Sequence, residues 1–338
     1  MARTLRILGA GPGATIQDAG RTGYMRYGVT PAGPMDPAAF ATVAAALENE
    51  PHAAAIEISV GGLSVGADDE PLCVAFAGGA FDWRRNGDAL PVAARIRLAP
   101  GETLSARAGA FGAWAYLAVA GGFETPLRLG SRATHLRSQI GGLEGRMLRA
   151  GDALPCGSGA LLTEAALDAP WLASSVAPIR VLPGPQDDYF APEALAAFFG
   201  EVFTLTPRAD RMAYAFSGPP IDHARGYNIV SDGVALGAIQ IAGDRAPLIL
   251  MADRQPTGGY PKLGHVIGAD IGRLAQLRPG ERCRFKAVGL GEALAAQEEL
   301  QAQILTTEQR LRPLVRRATT EALLRANLID GATDALAD

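Results

Sequence analysis

Cysteine is scarce in this chain of 338 residues, with only Cys73, Cys156 and Cys283 present. An odd number, far apart and without a CxxC pair, excludes a disulfide framework and a paired-cysteine zinc site, so the three read as small buried apolar residues. Lysine is scarcer still. Lys262 and Lys286 are the only two, and every other cationic side chain apart from histidine is arginine. No segment approaches the roughly 18 consecutive apolar residues of a membrane span. The opening MARTLRILGAGPGATIQ has neither the apolar run nor the cleavage signal of a secretory leader. Charge of either sign is modest. Charged residues make up 20% and the formal net charge is −4, which argues against nucleic acid and anionic membrane as main partners, because both recruit clustered Lys and Arg. A reducing cytoplasm is the expected location.

Several functional signatures are missing as well. No GxxxxGK[ST] loop offers a Walker-type ATP site, no GxGxxG opens a helix after a strand, and no GxSxG elbow occurs. No HxH or HExxH offers a metal pair. The glycine-rich GAGPGA at 9–14 contains a proline and suits a tight turn better than a phosphate cradle.

What is present points to β structure. Glycine (41) and proline (23) are plentiful and separate short apolar runs such as LCVAFAG (72–78), AWAYLAVAGG (113–122) and APLILMA (246–252), a pattern of barrels or sandwiches. Helices are expected over 35–49, capped by Asp36 with Pro37 at its first position, and over 191–200, opened by Pro192. RLAPGETLSA (97–106) and QLRPGERCRF (276–285) echo one another as hairpins turning on Pro-Gly-Glu. RILGAGPGATIQD (6–18) likewise echoes RVLPGPQDDYF (180–190). Two related β domains or reuse of good turn chemistry would each explain this. We place domains at 1–175 and 176–290. From 291 to 338 strong helix formers dominate, with Leu300, Ile304 and Leu311 on one face and Pro313 ending or kinking the first helix. The last ten residues are expected to be disordered.

Three polar clusters carry candidate chemistry. In 13–36, Thr15, Gln17, Asp18 and Arg21 stand among glycines; Asp18 and Arg21 can equally be a loop-fixing ion pair. In 130–152 stand Arg132, His135, Gln139, Glu144 and Arg146, with His135 read as structural because no carboxylate partner is evident. The third cluster, 231–265, ends in DRQPTGGYPKLGH. Here Gly258 and Gly259 permit dihedrals closed to other residues and let a ligand approach the main-chain amides. Arg254 and Lys262 add positive charge, and Gln240, Gln255, Thr257 and Tyr260 add neutral hydrogen-bonding groups. Lys262 can act as acid, base or point charge, and His265 can share the proton work. Catalytic roles are expected for Lys262, His265 and Asp18. Substrate contacts are expected from Thr15, Gln17, Arg21, Gln240, Arg254, Gln255, Thr257, Gly258, Gly259 and Tyr260, the N-terminal group reaching Lys262 across a domain cleft.

The stretches TIQDAGRTGYMRYGVTPAGPMD, YLAVAGGFETPLRLGSRATHLRSQIGGLEGRMLRAGD, RVLPGPQDDYF and SDGVALGAIQIAGDRAPLILMADRQPTGGYPKLGHVIGADIGRLAQLRPG resemble the biotin-dependent carboxyltransferase family, also called the allophanate hydrolase subunit 2 family. They cover about residues 7 to 290. The family often has Ala-Asn where this chain reads TVAAALENE, with Ala44-Ala45. The resemblance implies a mainly β fold of two cyclophilin-like β-barrel domains with few helices, followed here by the helical tail. It implies one component of an ATP-dependent 5-oxoprolinase, opening the lactam of 5-oxoproline to glutamate. The partners would be homologues of the B-type and A-type 5-oxoprolinase subunits, or a biotin carboxylase if the chain is the carboxyltransferase component of a urea or amide carboxylase. A non-catalytic regulatory protein paired with the B-type homologue is the third role the family implies. With no ATP motif and no biotinyl-lysine site, no cofactor is expected to be bound by this chain. ATP or carboxybiotin would arrive on the partner subunits, and the substrate would be a small amide or lactam.

Overall fold

The computed structural model describes residues 3–314. The fold is mainly β and barrel-like, built on three large sheets. A six-stranded sheet runs Ala153–Pro155, Thr4–Ala10, Leu63–Ala67, Thr103–Arg107, Asp82–Arg85, Asp88–Ala89. A seven-stranded sheet runs Thr15–Gln17, Ala55–Ser59, Trp114–Val119, Leu72–Gly78, Ala94–Leu98, Ala165–Leu167, Leu311–Pro313. The alternating apolar positions of these two sheets close on one core containing Ile7, Ile16, Ile56, Ile58, Val65 and Phe76. The ring of Trp83 stacks on Phe76 at 4.2 Å between centroids. Helix α1, Pro37–Ala46, begins as its sequence requires. The Asp36 side chain accepts from Ala39 N at 3.0 Å, and Pro37 occupies a position with no intrahelical donor to lose. It lays Phe40 and Val43 against Ala75, Ala77 and Tyr116 on the outer face of the seven-stranded sheet.

The third sheet has eight strands: Arg282–Cys283, Phe203–Ala209, Ala213–Ser217, Pro247–Leu250, Ala238–Ile241, Lys262–Val266, Ile179–Pro183, Phe285–Ala287. Helix α2, Pro192–Gly200, drives Phe198 into its core, where the ring stacks on Phe285 at 4.7 Å and tilts against Phe203. Helix α3, Gly268–Ala275, carries Ile271 and Leu274 into the same core. A two-stranded ribbon, Asp232–Gly233 with Thr257–Gly258, lies outside that sheet.

The two halves are bonded along a seam. Trp114 Nε1 donates to Tyr214 Oη at 3.0 Å. The Gln276 amide accepts from Ala113 N and donates to Asp36 Oδ2 at 2.7 Å. Both Pro-Gly-Glu turns form by the same device: Glu102 accepts from Ala99 N at 2.8 Å and Glu281 from Arg278 N at 2.9 Å, with Gly101 and Gly280 in the left-handed region. The second turn follows α3 and is not the hairpin expected from the sequence, because an amphipathic helix occupies the place of the incoming strand.

The C-terminal stretch also differs from expectation. Helix α4, Leu290–Leu305, stops where the hydroxyls of Thr306 and Thr307 donate to the carbonyls of Gln303 and Ile304. Residues Leu311–Pro313 then pair with Ala165–Leu167 as an edge strand, a position that tolerates proline. Leu311 is therefore a sheet residue and does not share a helical face with Leu300 and Ile304. The expected disorder of the last ten residues lies outside the described residues. Cys73 and Cys156 are buried, and Cys283 is half-buried.

Candidate functional site

The segment 253–265 starts in a turn after one strand of the eight-stranded sheet and ends in another, Lys262–Val266. Its first residue is anchored. Arg211 Nε and Nη2 form a two-point pair with Asp253 at 2.9 and 2.8 Å, Nη2 also donates to Gly33 O at 2.7 Å, and Nη1 binds Glu57. Glu57, fully buried, accepts in turn from Met35 N at 2.8 Å and Tyr116 Oη at 2.6 Å. Burial lifts the Glu57 carboxyl and opposes ionisation of Arg211, but the two adjacent carboxylates outweigh burial at Arg211 and hold the guanidinium charged. The network spans both halves of the molecule, and sequence reading found neither Glu57 nor Arg211.

Lys262 is 1% exposed, and its Nζ lies 2.9 Å from Oδ2 of Asp232, whose side chain is 54% exposed. That hydrogen bond and charge hold Asp232 below the usual carboxylate range. The main chain of Lys262 is fixed by Gln186, which accepts from Lys262 N at 3.1 Å and donates its own N–H to Lys262 O at 3.2 Å. On the neighbouring strand Gln240 pairs with Lys262 across a bulge. Gln240 is 1% exposed, and among the described residues neither its Oε1 nor its Nε2 has a hydrogen-bond partner. A buried primary amide in that state is costly, of order 1–3 kcal/mol.

The double glycine acts sterically. Neither Gly258 nor Gly259 uses the left-handed freedom that glycine permits. A side chain at Gly258 would place its Cβ 2.5 Å from Gln240 Nε2, so the bare Cα lets the ribbon lie directly over the amide. Of the other expected contacts, Gln255 is half-buried while Thr257 and Tyr260 are exposed. Arg254 is buried, and its Nε donates to Val234 O at 3.1 Å, tying down the chain beside the ribbon. It positions that segment. His265 is half-buried on the Lys262 strand. Its Nδ1 meets Gly184 O at 3.2 Å, an acceptor, so the proton sits on Nδ1 and the Nε2 lone pair remains. Burial lowers its pKa, and the charge of Lys262 lowers it further.

The N-terminal residues do not complete this cluster. Asp18, expected to be catalytic, accepts from Ser131 Oγ at 2.6 Å, Gly20 N at 2.9 Å and Arg132 N at 2.5 Å. Its carboxylate organises a loop. Arg21 donates to the carbonyls of Arg128 and Ala133, each at 2.9 Å, in place of the anticipated pair with Asp18. Gln17 donates to Thr15 Oγ1 and Thr134 O. Thr15, Gln17, Asp18 and Arg21 thus knit the N-terminal segment to 128–134, and they meet 253–265 at its first residue: Thr15 is paired with Glu57, which holds Arg211 and through it Asp253, and the charge of Asp253 acts on Arg21. His135 lines a cleft of about 540 Å³ on the seam, with Trp114, Arg211, Tyr214, Met147 and Met212. In the same loop region Arg146 makes a two-point pair with Asp152.

Residues 27–287 match the family described as carboxyltransferase domain, subdomains A and B. The chain is similar to the C-type 5-oxoprolinase subunit of Haemophilus influenzae, 38% identical over 283 residues that cover 83% of this chain and 90% of that protein. It is similar to the C-type 5-oxoprolinase subunit of Escherichia coli, at 33% identity over 88% of this chain and 95% of the other. Among solved structures it resembles K. lactis urea amidolyase with a TM-score of 0.84 and 27% identity, over 92% of this chain and 21% of that one.

Proposed function

This chain belongs to the carboxyltransferase-domain family, subdomains A and B, and from that premise we propose that it is one component of an ATP-dependent 5-oxoprolinase. In this reading it works with homologues of the A-type and B-type subunits to open the lactam of 5-oxoproline to glutamate. The observation that carries the reading is a dry lysine beside a buried amide with no partner among the described residues, in a chain similar to the C-type 5-oxoprolinase subunit over nine-tenths of that protein's length. An unsatisfied amide of this kind is complementary to another amide.

Opening a lactam moves negative charge onto its carbonyl oxygen as water adds to the carbon. A fixed donor at that oxygen is worth about 3 kcal/mol where water is excluded. Gln240 Nε2 and Lys262 Nζ are such donors, and both are held by the strands that carry them. His265, neutral with its Nε2 lone pair free, is suited to take a proton from the attacking water. ATP, if brought by a partner, would supply the driving force for opening a five-membered lactam, whose ring closure is favoured because amine and carboxylate belong to one molecule.

The fold likeness to urea amidolyase favours a second reading, the acceptor side of a biotin-dependent urea or amide carboxylase. Co-expression with A-type and B-type homologues followed by 5-oxoproline-dependent ATP hydrolysis decides between them. The wild-type complex is expected to turn over and the Lys262→Met complex to assemble without turning over. An assembled wild-type complex inert to 5-oxoproline but active on urea with a biotin carboxylase would establish the second reading. Assembly with the B-type homologue and turnover of neither substrate would leave a regulatory protein.

A further inference from the structure

We propose that Asp232 occupies the place of the substrate's carboxylate, and that the ribbon it stands on is a latch released by a carboxylate-bearing cis-amide. The ribbon strands Asp232–Gly233 and Thr257–Gly258 cover Gln240, with Asp232 opposite Gly258. The ion pair from Asp232 to Lys262 fastens that cover on its other side. Two facts mark the closed form as a resting arrangement. The anion held by the dry ammonium is a half-exposed side chain, which can turn out to water once another anion takes its place on Lys262. Beneath it the Gln240 amide has lost water and gained no partner.

The same two groups define the ligand. A lactam is a cis amide, so its N–H and C=O lie on one edge. The carboxamide of Gln240 presents a matching edge: Oε1 accepts from the lactam N–H and Nε2 donates to the lactam oxygen. A carboxylate on the ring carbon next to that nitrogen then replaces the Asp232 carboxylate on Lys262 Nζ. Urea offers the amide edge but no carboxylate, so it cannot compete with Asp232. The latch thereby selects anionic cis-amides over neutral ones. This inference rests on the lactamase reading for its substrate, though the exchange itself can be tested by binding alone.

The test is calorimetric titration of the full-length chain, wild type and Asp232→Asn, with 5-oxoproline and with 2-pyrrolidinone, the same lactam without the carboxylate. Asp232 is exposed on a ribbon outside the large sheets, and circular dichroism of the variant checks that the fold is kept when Lys262 loses this partner. If the latch is shut about nine-tenths of the time, removing its charge tightens 5-oxoproline binding about tenfold. Affinity for 2-pyrrolidinone rises by a similar factor, because either lactam must lift the ribbon from Gln240, while Lys262→Met removes the preference for 5-oxoproline and Gln240→Leu weakens both. Unchanged or weaker 5-oxoproline binding in Asp232→Asn overturns the latch, and equal wild-type affinity for the two lactams overturns the exchange on Lys262. In the assembled complex the variant lowers KM for 5-oxoproline with kcat little altered. Turnover with an unchanged KM removes the latch and keeps the lactamase. A wild-type complex without lactamase activity removes the lactamase, and the titration still decides the latch.

Discussion

Two buried polar clusters lie at the two ends of the segment 253–265, and they are built on opposite principles. At its start, Arg211 donates to Asp253, Glu57 and Gly33, and Glu57 accepts from Met35 and Tyr116. At its end, Lys262 holds one half-exposed carboxylate and Gln240 holds nothing. A complete network in a low-dielectric interior fixes geometry, and an incomplete one is a binding capacity not yet filled. The first joins the two halves of the molecule; the second waits for a ligand. Charge and burial alone would rank the Arg211 network as the more important site. Counting unmet hydrogen bonds reverses that order for function.

The comparison breaks most readily at Arg211. Removing it leaves Glu57 and Asp253 as uncompensated buried carboxylates, a loss of about 3–5 kcal/mol. Chemical denaturation of Arg211→Met is expected to show a loss of that size. A loss below about 1 kcal/mol would mean that the network does not carry the seam.

Gln240→Leu sharpens the contrast from the other side. A side chain of similar size with no polar atoms removes an unmet desolvation cost, so stability is expected to hold or rise by about 1 kcal/mol. Turnover of the assembled complex is expected to fall about a hundredfold, the scale of losing one donor at a developing oxyanion. A destabilised but active variant would make Gln240 a packing residue and cancel the distinction between the clusters.

Much of the frame is legible in the sequence because its signals are local. Asp36 and Pro37 start α1 by capping chemistry that needs no distant partner, and the alternation of short apolar runs with turns reads as β structure. Lys262 and Gln240 are legible as chemistry because few residue types of that kind are crowded so closely beside glycines. Three things are not. Glu57 and Arg211 are 154 positions apart, and nothing local distinguishes a carboxylate destined for a buried network from a surface one. Asp18 reads as catalytic because an acid among glycines resembles an exposed loop, whereas the glycines let the 128–134 loop close over it. Leu311–Pro313 reads as helix because a short edge strand is decided by the strand it meets and not by its own composition.

The smallest effect concerns the proton chemistry of the Lys262 strand. Burial, then the Lys262 charge, lowers the pKa of His265 from its ordinary value of 6.5, against an opposing hydrogen bond to Gly184. Folding therefore favours the neutral ring. The stability this contributes is complete above about pH 6.5, where the unfolded chain is neutral too, and is lost as pH falls through the lower folded-state value, because the unfolded chain then binds the extra proton. His265→Asn is expected to lose less stability than the wild type when denaturation midpoints are followed downward from about pH 6.5. Its complex is also expected to lose the acid limb of the kcat/KM profile together with most of the rate. In the complete cluster Arg211 stays charged throughout that range, and the group that burial lifts is the Glu57 carboxyl. If Arg211→Met changed the acid limb as His265→Asn does, proton transfer would belong to the seam and not to the strand that carries Lys262.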